Sequence, residues 1–279
     1  MTNSNSFNIS ETEFFEKYNI EEYDRPSVTT DIVAFKISNK SGDSYRHNKK
    51  MGISLLLVKR GEHPYINSWA LPGGFLRTDE TIEECAYREC VEETKIEPSS
   101  LVPIGVFSKI NRDPRGRIIS NAYLSIVKDV TISPQGGYDA IDAQWFDVSF
   151  DNVDVDEFKL TLSNEYENIN CKLKAVFSKF KKIDYEVIDS GGLAFDHSAI
   201  IATAITILRT YFNDFDLVFD FLDDKFTLTE IQNVYEAVLN KTLTPANFRR
   251  KILDFVVETD EYSIGAGHRP AKFFKKNIK

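Results

Sequence analysis

The chain has 279 residues, 42% of them hydrophobic and 28% charged, a globular balance that provides a sizeable core and room for two domains. The net charge of −9 argues against a protein coated uniformly in cations for nucleic acid, no apolar run reaches the roughly 18 residues of a membrane span, and the acidic start lacks the cationic and apolar stretches of a signal peptide. Three cysteines, Cys85, Cys90 and Cys171, show no spacing pattern; this argues against a disulfide framework and fits a cytoplasmic protein in a reducing compartment.

Residues 1–24 read as a polar N-terminal extension. "SVTTDIVAFKIS" (27–38) and "GISLLLVKR" (52–60) predict β-strands from their β-branched and apolar content, joined by a polar, turn-rich hairpin loop. "SWALPGGFL" (68–76) reads as a strand interrupted by Pro-Gly-Gly. "DETIEECAYRECVEET" (79–94) runs sixteen residues without Gly or Pro and predicts a helix, with Asp79 and Thr81 as candidate N-caps and Pro98 past its end. "LVPIGVFSK" (101–109), "ISNAYLSIVKDV" (119–130) and "AIDAQWFDV" (140–148) predict strands, with "RDPRGR" (112–117) as the loop between the first two. "FKLTLSN" (158–164) adds a further strand, and "SAIIATAITILRTYF" (198–212) predicts a buried helix.

The pattern changes near Asp223–Lys225. "FTLTEIQNVYEAVLN" (226–240) predicts a helix with Thr229 as N-cap, and "TPANFRRKILDFVV" (244–257) a second helix with Pro245 in its first turn. "EYSIGAGHRPAKFFKK" (261–276) reads as two short strands around a Gly-rich tip. Helix, short connection, basic helix and hairpin form the order of a winged helix-turn-helix. Residues 226–279 hold nine basic and six acidic residues, which leaves 25 basic and 37 acidic in the remainder. An acidic body with a basic tail suggests two partners.

In the helix over 79–94, Glu89, Glu92 and Glu93 fall within roughly 60° of one another's centre on a helical wheel. Ile82, Cys85, Ala86 and Ile96 fall on that same arc, whereas Glu84, Arg88, Thr94 and Lys95 lie opposite. A run of glutamates is ordinarily a solvated face, yet these sit within the apolar stripe. Clustered, partly buried carboxylates repel one another unless cations neutralise them, and an all-oxygen set suits Mg²⁺ or Mn²⁺.

The wider spacing is specific. Gly74, five residues, Glu80, seven residues, then Arg88-Glu89, a small apolar residue, one free position, Glu92-Glu93 and finally Ile96 resembles the Nudix box, the signature of hydrolases acting on a nucleoside diphosphate linked to another moiety. Lys95 stands where the family usually has Gly, which predicts a left-handed helix end there at a cost on the order of 1 kcal/mol. The resemblance implies an α+β fold: a Nudix α/β/α sandwich with a mixed sheet over 25–222, followed by a C-terminal winged helix-turn-helix over 223–279. It implies Mg²⁺ (or Mn²⁺) held by Glu89, Glu92 and Glu93 with help from Glu80, and Arg88 orienting a carboxylate by a bidentate contact. It also implies that Gly73 and Gly74 let the backbone approach a pyrophosphate.

"RPSVTTDIVAF", "LLLVKRGEHPYINSWALPGGFL", "RDPRGRIISNAYLSIV", "AQWFD" and "LAFDHSAI", together with the basic C-terminal module, are similar to one subgroup. Its members are ADP-ribose pyrophosphatases and the NrtR-type transcriptional regulators of NAD metabolism. By that resemblance Arg60, Arg112, Asp113 and Arg115 lie near a substrate such as ADP-ribose. Read from the residues alone, the loop is either an arginine-bearing diphosphate site or a polar Asp-Pro turn. Asp196 and His197 read as helix-start residues beside the pocket or as structural groups, and Trp69 and Trp145 as core. In the basic helix, Asn247, Arg250 and Lys251 share a side, flanked by Arg249 and opposed by Phe248, Ile252 and Phe255. With Arg269 and Lys272 on the hairpin, this suits double-stranded DNA, or else a winged helix used for packing or for a homodimer. The first expectation is therefore a metal-dependent ADP-ribose pyrophosphatase releasing AMP and a sugar phosphate, because the metal-binding glutamates are all kept. The second is a DNA-binding regulator that senses the same ligand.

Overall fold

The computed structural model describes residues 9–39, 51–98, 100–128, 140–177, 183–212, 217–263 and 270–277. A short helix, α1 (Glu11–Lys17), precedes the first strands, β1 (Ser27–Asn39) and β2 (Met51–Arg60), which pair antiparallel; residues 40–50 of the expected hairpin loop lie outside the described residues. The strand expected over 68–76 is confined to β3 (Trp69–Ala70), with an isolated bridge from Phe75 to Thr29, because Pro72 and the glycines break the ladder. The order continues with α2 (Ile82–Thr94), β4 (Val102–Phe107), β5 (Ile118–Ile126), β6 (Ala140–Asn152) and β7 (Glu157–Ser163). Then come β8 (Asn168–Phe177), β9 (Ile183–Asp189) and α3 (His197–Tyr211).

Among the described residues the main sheet has nine strands in the order β4-β5-β1-β2-β6-β7-β8-β9, with β3 on the flank of β2. It is mixed: β1 and β5 run parallel, and the other pairs are antiparallel. The alternation along β1 and β2 shows why helices cover both faces. Val33, Phe35, Leu55 and Leu57 enter the large core that includes α3, while Ile32, Ala34 and Leu56 enter a smaller one beneath α2. The result is the expected α/β/α sandwich. Sequence reading missed β8 and β9. In β8 the small apolar set Ile169, Cys171, Leu173 and Ala175 alternates with polar residues, so one face is buried.

A 3₁₀ turn (Leu217–Phe221) and β10 (Phe226–Thr227) lead into α4 (Leu228–Leu239) and α5 (Pro245–Ile252), followed by β11 (Val256–Tyr262) and β12 (Lys272–Lys276). The small sheet has the order β10-β12-β11, completing the winged helix-turn-helix. Two expectations shift. The N-cap of α4 is Thr227 rather than Thr229, because Thr227 and Glu230 close a reciprocal capping box. The second helix ends at Ile252, and Val256 and Val257, β-branched and unsuited to a helix end, open β11. The two units are not beads on a string: Phe212 of the first unit packs on Tyr235 of α4 within one continuous core. No helix among the described residues is long and apolar enough to cross a membrane.

Candidate functional site

Helix α2 starts at a capping box, in which Thr81 accepts from the Glu84 amide and Glu84 accepts from the Thr81 amide. It ends at Lys95, whose φ of 62° and ψ of 17° place it in the left-handed region, as the departure from Gly predicted. The wheel reading needs correcting. The buried face is centred on Ala86, Cys90 and Thr94, not on the glutamates. Thr94 is fully buried because its hydroxyl donates to the Cys90 carbonyl and accepts the Ile96 amide, so its polarity is satisfied inside. Glu89 and Glu93 flank this face, and Glu92, 52% exposed, faces solvent.

Arg88 also departs from its expected solvent side. It folds back to make two hydrogen bonds to Glu80, Nε to Oε2 at 2.8 Å and Nη2 to Oε1 at 2.6 Å, in a fork-to-fork pair. The same guanidinium donates to Glu89 at 2.6 Å, Glu92 at 3.2 Å and the Phe75 carbonyl at 3.2 Å. Hydrogen bonds from Arg88 hold the Glu80 carboxyl down to about 2. Burial instead pushes the Glu89 carboxyl up from its ordinary value. Glu93 accepts the Gly73 amide at 2.9 Å. Thus Arg88 brings Glu80, Glu89 and Glu92 around one cation, and the Pro-Gly-Gly loop holds Glu93. Among the described residues no three acidic, His or Cys side chains converge at metal-ligand distances.

Gly73 is required by the protein's own packing against backbone, whereas Gly74 faces the movable end of a side chain. A Cβ on Gly73 would lie 2.0 Å from the Thr30 carbonyl oxygen, and one on Gly74 would lie 2.4 Å from the Glu89 carboxylate. The loop therefore lies against β1 and against the Glu89 carboxylate at once.

A cleft of about 340 Å³ opens beside these groups. Gly73, Gly74, Glu89, Glu93, Arg60, Arg112, Asp113 and Arg115 all line it, so these expected residues meet in one place; Glu80, Arg88 and Glu92 do not line it. Their roles divide. The Arg112 side chain is 3% exposed and makes two bonds to Asp196, at 3.0 and 2.7 Å, with Asp31 at 3.5 Å. Although burial opposes its charge, Asp196 and Asp31 keep Arg112 firmly protonated. It forms the floor rather than offering its charge outward. Asp113 is buried and grips Arg115 through Nε at 3.0 Å and Nη2 at 2.7 Å, which aims Arg115 between the Phe75 and Phe195 rings. Arg60 is anchored on the Pro64 carbonyl at 2.8 Å.

His197, buried at the start of α3, accepts the Leu71 amide on Nδ1 at 2.8 Å, so the proton of the neutral ring sits on Nε2, facing Asp31. Burial lowers its pKa, consistent with a neutral ring. Asp31 and Phe195 were missed in the sequence. Asp31 did carry a signal, as a lone charge inside an apolar strand; Phe195 carried none. Trp69 is core, as expected, its indole N–H donating to Glu167 at 2.6 Å, and Trp145 is half-buried against the core beneath α2.

In the winged helix, Phe248 and Ile252 are buried while Asn247, Arg249, Arg250 and Lys251 are exposed. No acidic partner engages the three cations of α5 among the described residues. Lys272 is different, since Glu258 on the neighbouring strand pairs with it. Arg269 lies outside the described residues.

Residues 44–160 match the NUDIX domain, and residues 218–275 match the NrtR DNA-binding winged helix domain. The chain is a Nudix domain joined to an NrtR-type winged helix. It is 27% identical to the ADPR responsive transcriptional repressor NtrR of Acinetobacter baylyi, over 95% of this chain and 88% of that one. It is 40% identical to an ADP-ribose pyrophosphatase of Methanocaldococcus jannaschii, over 34% of this chain and 55% of that relative. The crystal structure of a MutT/nudix family protein from Enterococcus faecalis superposes with a TM-score of 0.71 at 27% identity, covering 96% of this chain and 94% of that one. The Nudix part thus carries the cleft, and the winged helix carries the exposed cations.

Proposed function

We propose that this protein is a DNA-binding transcriptional regulator whose Nudix cleft binds ADP-ribose or a related nucleoside diphosphate derivative. The observation that carries this reading is the unpaired row Arg249, Arg250 and Lys251 beside Asn247, on a helix whose other face is buried. Such a helix fits a major groove, with the cations meeting phosphates and Asn247 meeting base edges. The likeness to a ligand-responsive repressor along nearly the whole chain supports it, while the likeness to an ADP-ribose pyrophosphatase supports the hydrolase reading that the sequence put first. The units divide near Asp223, and a homodimer would read two half-sites.

The test is fluorescence anisotropy with duplex DNA from upstream of the protein's own gene, with and without ADP-ribose. Binding is expected to weaken steeply with salt, to fall at least tenfold in Arg250→Ala and to change on adding ADP-ribose. Salt-independent binding that Arg250→Ala leaves intact would remove the DNA-binding role.

A specific observation favours hydrolysis as a second activity: Arg88 gathers Glu80, Glu89 and Glu92 around one guanidinium beside the cleft. Glu89, Glu92 and Glu93 suit Mg²⁺ or Mn²⁺ in donor chemistry, since all are carboxylates, and Gly74 lies directly against the Glu89 carboxylate. Such an ion would supply charge neutralisation at the phosphoryl oxygens and acidify a bound water. The chain's own groups would do the rest: Arg88 locks Glu80 and Glu89, the Gly73 amide locks Glu93, and Arg60 with Arg115 orients the diphosphate. AMP release from ADP-ribose in Mg²⁺, lost in Glu93→Gln, is expected if the cleft cuts as well as senses. Equal rates in wild type and variant would leave sensing alone.

A further inference from the structure

The N-terminal arm, α1 with the 3₁₀ turn Ile20–Glu22 behind it, buries none of its own residues. From Ile9 to Ser27 every residue but the half-buried Glu13 is exposed. The arm is nevertheless rich in apolar groups: Phe15 is 65% and Tyr23 61% exposed, and Phe14, Tyr18 and Ile20 are open as well. The rings gather on one another. Phe14 meets Phe15 at 5.5 Å, Tyr18 stacks on Phe14 at 5.5 Å, and Tyr23 stacks on Tyr18 at 6.1 Å. An exposed apolar cluster marks a surface for a partner. The charge of the arm says which kind: residues 9–24 hold six acidic residues and one basic, Lys17. The matching surface is apolar with a cationic rim.

Such a surface lies on the winged helix. A hollow of about 740 Å³ opens between α4 and α5, walled by Leu239, Leu243, Phe248 and Phe255, with Arg250 and Lys251 at its rim against one acid, Asp254. Its volume falls in the roughly 300–1,000 Å³ range of pockets that enclose a drug-sized molecule, so it takes more than one ring. Among the described residues no part of the same chain's arm lines it. On α1, Phe14 and Phe15 stand one turn before Tyr18, and Glu11 stands one turn before them on the same side, the layout of a helix that anchors in a groove.

We propose that the acidic, aromatic arm of one copy docks in the hollow on the winged helix of a second copy, with Phe14, Phe15 and Tyr18 on the apolar wall and the glutamates against Arg250 and Lys251. Aromatic anchors supply the affinity, and the charges supply orientation and salt dependence. The docked arm covers cations that face DNA, so arm and DNA exclude each other. The docking stands on the arm and the hollow; its effect on DNA rests on the proposed regulator reading.

The test uses the full-length Phe15→Ala, Tyr18→Ala double variant, whose fold is kept because neither side chain is buried. A fluorescein-labelled peptide of residues 9–24 is titrated with it and followed by anisotropy. Binding is expected, weaker at high salt and about tenfold weaker when Phe255→Ala is added. No binding, or binding that Phe255→Ala leaves intact, would overturn the docking. The double variant is also expected to bind duplex DNA from upstream of the protein's own gene about threefold or more tighter than wild type, with the peptide competing. Equal DNA affinity in wild type and double variant, each weakened by Arg250→Ala, would overturn the masking and keep the regulator. Peptide docking with no DNA binding by either protein would keep the docking and sink the regulator. Thr12→Cys with Thr242→Cys, in an otherwise wild-type chain whose native cysteines are buried, is treated with a bismaleimide. A crosslink between chains is expected; one within a single chain, or none, would overturn docking between copies.

Discussion

Lys95 shows how one side chain can sit on the wrong residue type without touching the chemistry. It occupies the left-handed cap of α2, exposed, with its amide bonded to the Val91 carbonyl. Lys95→Gly is expected to stabilise the fold by about 1 kcal/mol and raise Tm by about 2–4 °C, with ligand affinity unchanged. Glu89 makes the opposite trade. Burial raises its pKa, so in the metal-free protein its contribution to stability is complete below the ordinary 4.5 and is lost as pH rises through its raised folded value. At neutral pH its carboxylate is therefore a cost that a divalent cation, if held there as proposed, would offset. Mg²⁺ should raise the wild-type Tm at pH 7.5, and this gain should shrink as pH falls toward 4.5. In Glu89→Gln the metal-free protein should melt no lower than wild type, with no Mg²⁺ gain; thermal melts at both pH values check this.

At the scale of elements, what was legible followed local signals. The capping of α2, the Gly-Gly break and the strands β1, β2 and β5 were readable because short-range sterics and β-branched, apolar content mark them, whereas the cap of α4 was placed two residues late. The boundary of α5 was not, because the turn into β11 depends on Val256 finding a place in the core. The carboxylate site was legible by spacing, yet the arc it occupies was misplaced by the wheel. Thr94 counts as polar in sequence and becomes core only because the Cys90 carbonyl lies within reach. Nor could spacing show that Arg112 is a floor and Arg115 a cleft group; Asp196 and Asp31, 84 and 81 positions away, decide that. The caps themselves are testable. Thr227→Ala removes the side chain that accepts the Glu230 amide, and should cost about 1 kcal/mol in denaturant unfolding without abolishing DNA binding.

For the whole molecule, α3 is the element that touches both the cleft and the winged helix. It begins at His197 in the cleft floor and runs 15 residues, roughly 22 Å, to the winged helix. There Arg209 donates from Nε to the Val238 carbonyl at the end of α4, at 3.1 Å, and from Nη1 to Phe150, also at 3.1 Å. Phe212 meets Tyr235 at 5.3 Å and Tyr235 meets Phe248 of the basic helix at 5.2 Å. Arg209→Ala is expected to leave DNA affinity without ligand and ADP-ribose affinity each within about threefold, while reducing the effect of one on the other. Anisotropy with and without ADP-ribose measures that ratio; an undiminished ratio would place the coupling elsewhere.

The core shared by the sheet, α3 and the winged helix bears on heredity as well as on folding. Phe212, Leu222, Ile231 and Phe248 belong to a single buried cluster, so cutting the chain between the two units strips apolar surface from both. Calorimetry should record one melting transition for the intact protein. A winged helix that can be swapped freely needs a polar seam, and the seam here is mainly apolar. If the outer face of α5 meets DNA as proposed, substitutions there can alter that contact residue by residue, while the inner face stays tied to the Nudix half through the shared core.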